Sequence, residues 1–241
     1  MIELDPPDWW DQIPVLTGSS IRIREVEPAD AAALLELFDD PLVNQYLYPP
    51  PSTLTQFEGF IEWARRQREA AKGVCFAVVP NGLQQPIGLF QLRALDLSFH
   101  IAEWGFALSP PFWSTGLFEE AAALVAEFGF AIGVRRIEAR AVVNNGRANR
   151  ALEKLGAKGE ALLRRSFKNN EAQFMWAIVA DEWSPRRAKP GTPFEAARIK
   201  AQIARAIAEM PAASRTTQYP WAPPPFPFFL SRRPDDPPED D

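Results

Sequence analysis

A chain of 241 residues, 46% apolar and 12% aromatic, has the hydrophobic content for a folded core and is too rich in both classes to read as disordered. A net charge of -5 argues against nucleic acid as a partner and suits amine or cationic substrates better. One cysteine, Cys75, and one histidine, His100, exclude an intrachain disulfide and the usual zinc-ligand sets, so no metal is expected. No run approaches the ~18 uninterrupted apolar residues of a spanning helix. The acidic, Pro-containing start Met1–Pro7 does not read as a secretory signal, so the expectation is a cytoplasmic protein with no membrane partner.

Residues 1–19 read as an N-terminal arm carrying Trp9-Trp10, with a turn at Thr17-Gly18-Ser19. Ile21–Val26 alternates like a half-exposed strand. Glu27-Pro28-Ala29-Asp30 opens a helix with Pro28 in its first turn, and Leu34, Leu35 and Phe38 mark its apolar stripe. A second helix is predicted from Leu54 to Ala71, with Phe57, Phe60, Ile61 and Ala64 at helical spacing. Between the two helices lies the aromatic, Pro-rich loop Tyr46–Pro51, a candidate pocket wall or a plain connector.

Strands follow at Val74–Val79 and Ile87–Leu95, joined at Pro80-Asn81-Gly82 as a hairpin. Cys75 falls within the first of them and reads as a small core hydrophobe. A third run, Phe99–Leu108, carries His100, Glu103 and Trp104. The helix Thr115–Ile132 has a stripe of Leu117, Ala121, Leu124, Val125, Phe128 and Ile132. Then come a strand at Arg136–Val142, a helix at Gly146–Leu155, and strands at Glu160–Phe167 and Ala172–Ala180. Beyond Trp183 the composition shifts to an Ala-rich helix near Phe194–Met210 and a Pro-rich, aromatic, finally acidic tail. Residues 184–241 are therefore set apart from a domain spanning 20–183. The tail reads as a linker, as a docking segment for a partner, or as a strap on its own domain.

The order β-α-α-β-β-β-α-β-α-β-β, the loop Trp113-Ser114-Thr115-Gly116-Leu117 before a helix, and the segment Asn145-Gly146-Arg147-Ala148-Asn149 leading to Glu153-Lys154-Leu155-Gly156 resemble the GNAT acetyltransferases. Within that superfamily, Ala102-Glu103-Trp104-Gly105-Phe106 and Gly159–Arg165 are most similar to the branch of ribosomal-protein N-terminal acetyltransferases. The resemblance covers about Ile21–Trp183. It implies a mixed α/β (α+β) fold, with a mostly antiparallel twisted sheet and flanking helices, and acetyl-CoA as acyl donor.

It also implies a donor site. The loop Trp113, Ser114, Thr115, Gly116 and Leu117 would offer backbone amides to a diphosphate at a helix N-terminus. Phe118 departs from the small residue that the family places there. Asn145, Ala148 and Asn149 would meet the pantetheine and thioester end, and the strand amides between Phe106, Ala107 and Leu108 would polarise the carbonyl. Some relatives carry a hydroxyl at the positions of Ala148 and Leu152, and neither is present here. Glu103 is the first candidate for a catalytic base, Glu160 the second and His100 the third. Period-2 counting puts Glu103 and His100 on opposite faces unless a bulge intervenes.

Chemistry narrows the acceptor. An α-amine of pKa about 8 needs roughly 1 kcal/mol to be neutral at pH 7, a lysine amine at about 10.4 close to 5 kcal/mol. A site without an obvious acid–base pair copes better with the former. The expected function is N-acetyl transfer by direct attack of a primary amine, a protein N-terminus or a small amine. The competing reading is a GNAT-fold binding module that has lost turnover. Either is compatible with a homodimer.

Overall fold

The computed structural model describes residues 9–184. The Ala-rich helix and Pro-rich tail expected from the sequence lie outside the described residues. Eight strands form one sheet in the order β1-β2-β3-β4-β5-β6-β8-β7. These are β1 (Leu16–Thr17), β2 (Ile21–Glu25), β3 (Gly73–Pro80), β4 (Gly88–Ala94), β5 (Ile101–Leu108), β6 (Arg136–Val142), β7 (Lys158–Leu163) and β8 (Gln173–Val179). Every pairing is antiparallel except β5 with β6. The helices are α1 (Ala31–Asp39), α2 (Pro41–Asn44), α3 (Leu54–Glu69), α4 (Leu117–Ala131) and α5 (Gly146–Leu155).

The uninterrupted apolar run of β3 follows from burial on both faces. Val74, Phe76 and Val78 join a core built with Leu117, Ala121, Ala122, Val125 and Phe128 of α4. Cys75, Ala77 and Val79 point the other way, onto Leu34 and Phe38 of α1 and Phe57 and Ile61 of α3. Burial drives the Cys75 thiol pKa far up, which keeps it an un-ionised core group. Helix α1 is anchored where Arg24 donates two hydrogen bonds of 2.7 Å to the buried carboxylate of Asp30. The residues 9–16 of the arm are not peripheral: Trp9, Ile13 and Leu16 are buried in the same core as α4.

Two features position the site. First, β4 and β5 pair without a register break from Ala94↔Ala102 to Gly88↔Leu108, so no bulge reorders the side chains of β5. Second, the parallel β5–β6 pairing covers only Ile101–Glu103 against Arg136–Glu138. Beyond Glu103 the two strands part. The edge of β5 from Trp104 to Leu108 has no partner in β6, and a cleft opens there.

Candidate active site

The cleft is a cavity of about 350 Å³ walled by the end of β5 (Phe106, Ala107, Leu108), the loop residues Trp113 and Ser114, and the first turn of α4 (Phe118, Glu119). Helix α5 and the residue before it add Asn145, Arg147, Ala148, Arg150, Ala151 and Lys154, and Leu42, Val43, Tyr46 and Leu47 close the far side.

The loop before α4 is shaped by two left-handed residues, Ser114 (φ 62) and Gly116 (φ 85). A Cβ on Gly116 would meet nothing within 4 Å, so backbone conformation rather than space calls for glycine there. Thr115 is buried between them; its hydroxyl donates to the Phe112 carbonyl at 2.6 Å and accepts from the Leu117 amide at 3.4 Å. The loop therefore leads straight into α4, whose first-turn residues Phe118 and Glu119 border the cleft. Trp113 is pinned by a 2.7 Å hydrogen bond from its indole Nε1 to the Leu108 carbonyl. Phe118 lies against Phe106 (ring centroids 4.7 Å) and Phe90 (5.7 Å), so its bulk fills the wall between α4 and the sheet while its edge still borders the cavity.

Helix α5 starts on Asn145, whose side-chain oxygen accepts from the Ala148 amide at 3.1 Å, and stops at left-handed Gly156. Asn149 does not line the cavity. Its amide nitrogen donates to the Val142 and Asn145 carbonyls at 3.0 Å each, and its oxygen accepts from Trp176 Nε1 at 2.9 Å. Those bonds tie α5 to the end of β6 and to β8.

Of the residues singled out in the sequence for the donor, Phe106, Ala107, Leu108, Trp113, Ser114, Asn145 and Ala148 come together around the cavity. Thr115, Gly116 and Leu117 shape the loop behind it. The three base candidates are elsewhere. Glu103 is 1% exposed and sits between Arg93 Nη2 at 2.9 Å and Arg140 Nε at 3.5 Å, at the last rung where β5 and β6 still pair. Burial pushes its carboxyl pKa up, while Arg140 and Arg93 pull against that. It lies four residues before Ala107, ~13 Å of strand. Glu160 forms a bidentate pair with Arg136 (2.6 and 3.0 Å), which holds its pKa below the usual carboxylate value. His100 is exposed just before β5 begins, with Nδ1 3.1 Å from Ser98 Oγ. Leu152, one of the two positions without a hydroxyl, is fully buried in the core.

Sequence reasoning missed the cations of the cavity. Arg147, Arg150 and Lys154 line it against a single acid, Glu119. Their spacing of three and four residues along α5 was the available signal, since it places them on one helix face with Ala148 and Ala151. The Tyr46–Pro51 loop divides its roles. Tyr46 and Leu47 line the cavity, and Tyr46 donates to the Asn144 carbonyl at 3.3 Å. Tyr48 instead packs edge-on against Phe167 at 5.0 Å.

Among the described residues, no helix is long and apolar enough to cross a membrane, and no His, Cys, Asp and Glu group is suited to a metal ion.

Comparison with known proteins gives a consistent result. A sequence profile described as "Acetyltransferase (GNAT) domain" matches residues 20–158. The chain is 26% identical over 159 residues to the uncharacterized N-acetyltransferase YoaA of Bacillus subtilis (strain 168), covering 65% of this chain and 90% of that protein. Among solved structures, the ribosomal-protein-S5-alanine acetyltransferase of Vibrio fischeri superposes with a TM-score of 0.63 at 18% identity, over 71% of this chain and 100% of that one. The microcin C7 self-immunity acetyltransferase MccE, solved with acetyl-CoA and AMP, gives 0.61 at 18% identity, over 67% of this chain and 93% of that one. At these identities the structural likeness is one of fold.

Proposed function

The chain belongs to the GNAT acetyltransferase family, and from that premise we propose that it transfers an acetyl group from acetyl-CoA to a primary amine of modest basicity, a protein or peptide N-terminus or a small amine. The observation that carries this reading is the parting of β5 from β6 after Glu103, with the cavity opening along the unpaired edge of β5. That edge supplies backbone amides for a thioester carbonyl, and the loop Trp113–Leu117 with the start of α4 supplies amides for a diphosphate. The open space at Gly116 and the surplus of cations on α5 fit a polyanionic donor. The acetyl-CoA found with MccE supports the same choice.

The acceptor follows from what the cavity lacks. Among the described residues, no histidine lines it, and its one carboxylate, Glu119, belongs to α4 rather than to the side closed by Leu42, Val43, Tyr46 and Leu47. An amine entering there meets no strong base, so it must arrive largely neutral. An α-amine of pKa about 8 does so far more readily than a lysine amine at about 10.4. The cavity hydroxyls are those of Tyr46 and Ser114, which leaves Tyr46 or water to protonate the departing thiolate. Glu103, held by two guanidinium groups at the hinge of the cleft, acts in this reading as a positioning residue that fixes where the strands separate. The catalytic unit is taken as residues 20–183.

The test is thiol release from acetyl-CoA with paired acceptors, a peptide with a free α-amine and the same peptide Nα-blocked with a free lysine. Faster turnover of the free α-amine is expected. Equal rates on the two would contradict the acceptor reading. A second reading, a module that binds without turnover, is motivated by Ala148 at the cavity and Leu152 in the core, which supply no hydroxyl. Saturable acetyl-CoA binding with no thiol release on either acceptor would favour it.

A further inference from the structure

Two guanidinium groups gather at the N-terminal half of α5, and among the described residues no carboxylate stands within ion-pair distance of either. Arg147 lays its guanidinium carbon 3.5 Å from the ring centroid of Trp113, reaching from α5 to the loop before α4. The Arg150 head curls back over the first turn, where a Cβ on Gly146 would stand 3.3 Å from Arg150 Nη1. Both residues line the cavity and are exposed, and neither is among the ion pairs of the described residues. The arrangement is electrostatically unfavourable by itself, since positive charge there adds to the positive end of the helix dipole. Trp113 is fixed by its bond to Leu108, whereas Arg147 is a long exposed side chain. The indole is thus a face held in place, and the guanidinium reaches it from an exposed side chain.

We propose that Arg147 is a latch that selects donors carrying a diphosphate. The proposal rests on the acyl-CoA reading above and names the part of the donor that this residue recognises. Parked on Trp113, the guanidinium lies beside the loop that presents the amides of α4. Rotation of its own side chain would free the planar fork to meet a diphosphate held beside that loop, and a guanidinium can bind phosphate oxygens in bidentate fashion. Arg150, held at the same helix end by the absence of a side chain at Gly146, adds charge without leaving its place. A short thioester with no phosphates leaves Arg147 on the indole and gains nothing from either residue.

The experiment compares the full-length protein with Arg147→Ala and Arg147→Lys, using S-acetyl-CoA, S-acetyl-dephospho-CoA and S-acetyl-N-acetylcysteamine as donors. Arg147 is exposed, so neither change touches the core. Arg147→Ala is expected to raise KM for acetyl-CoA by roughly tenfold, with an equal rise for the dephospho donor and less than about twofold change for the cysteamine thioester. Arg147→Lys should recover only part of the loss, because lysine keeps the charge but not the fork. A penalty equal across all three donors would overturn the proposal, as would one that vanishes with the dephospho donor. Calorimetry of CoA separates the two levels. If the parent protein binds CoA and Arg147→Ala binds it equally well, the latch fails and the acetyltransferase reading stands. If the parent protein binds no CoA, both fail.

Discussion

Asn149 offers a sharp test of how the cleft is held open. Its side chain makes three good hydrogen bonds, to the carbonyls of Val142 and Asn145 and from the indole of Trp176, and a longer one of 3.3 Å to Val143. Replacing it with alanine removes all of them and leaves a half-buried indole N–H and two carbonyls to find water. At about 1 kcal/mol for each of the three, the loss is about 3 kcal/mol. For a domain of this size, at roughly 2–4 °C per kcal/mol, the melting temperature should fall by roughly 6–12 °C. Asn149→Asp should be worse than alanine, since a carboxylate keeps the Trp176 bond but turns a second oxygen onto the carbonyls. Thermal and urea unfolding followed by circular dichroism read both variants directly. An Asn149→Ala protein as stable as the parent, with its acetyl-CoA affinity nonetheless collapsed, would refute the bracing role and put Asn149 in direct contact with the donor.

Further outcomes follow from the same geometry. Gly116→Ala forces a left-handed alanine and should cost about 1–2 kcal/mol in urea unfolding, while Gly116→Asn, which tolerates that conformation, should cost less. Equal costs would mean that the loop relaxes. Burial raises the folded pKa of Glu103 above its ordinary 4.5, so its contribution to stability is full below the unfolded value and is lost as pH rises through the folded one. The unfolding free energy of the parent minus that of Glu103→Gln should therefore decline as pH rises above about 4.5. A gap that widened with pH would show that Arg93 and Arg140 outweigh burial. Cys75, fully buried with its thiol pKa driven up, should resist thiol reagents at pH 8 until the protein unfolds; rapid labelling of native protein would contradict its core placement.

What the sequence revealed and what it hid differ by the range of the interactions. Strand β6 and helix α5 were legible to the residue, because the alternation of Arg136–Val142 and the Asn145 and Gly156 caps are local signals. The strand expected from Phe99 begins at Ile101, because Phe99 takes a left-handed φ of 54 in a turn that Asp96 closes by accepting from the Ile101 amide at 2.8 Å. The strand expected at Glu160–Phe167 runs instead from Lys158 to Leu163, with an irregularity between Gly159 and Ala161 that sets Glu160 beside Arg136. The two arginines that clasp Glu103 come from β4 and β6, so only the cross-strand register reveals them. Trp9 reads as part of the N-terminal arm, and nothing local in its sequence announces that it packs on Phe99 at 5.4 Å. Asn149 stood beside a true cavity residue, Ala148, and one helical step was enough to turn it toward the scaffold instead.

Titration calorimetry of the purified protein with acetyl-CoA bears most directly on the cleft between β5 and β6 as a donor site. Saturable binding of one donor per chain, abolished when Ala148→Trp fills the cavity wall without loss of folded circular dichroism, is the predicted result. Unchanged binding to a folded Ala148→Trp protein, or no binding to the parent at all, would contradict it.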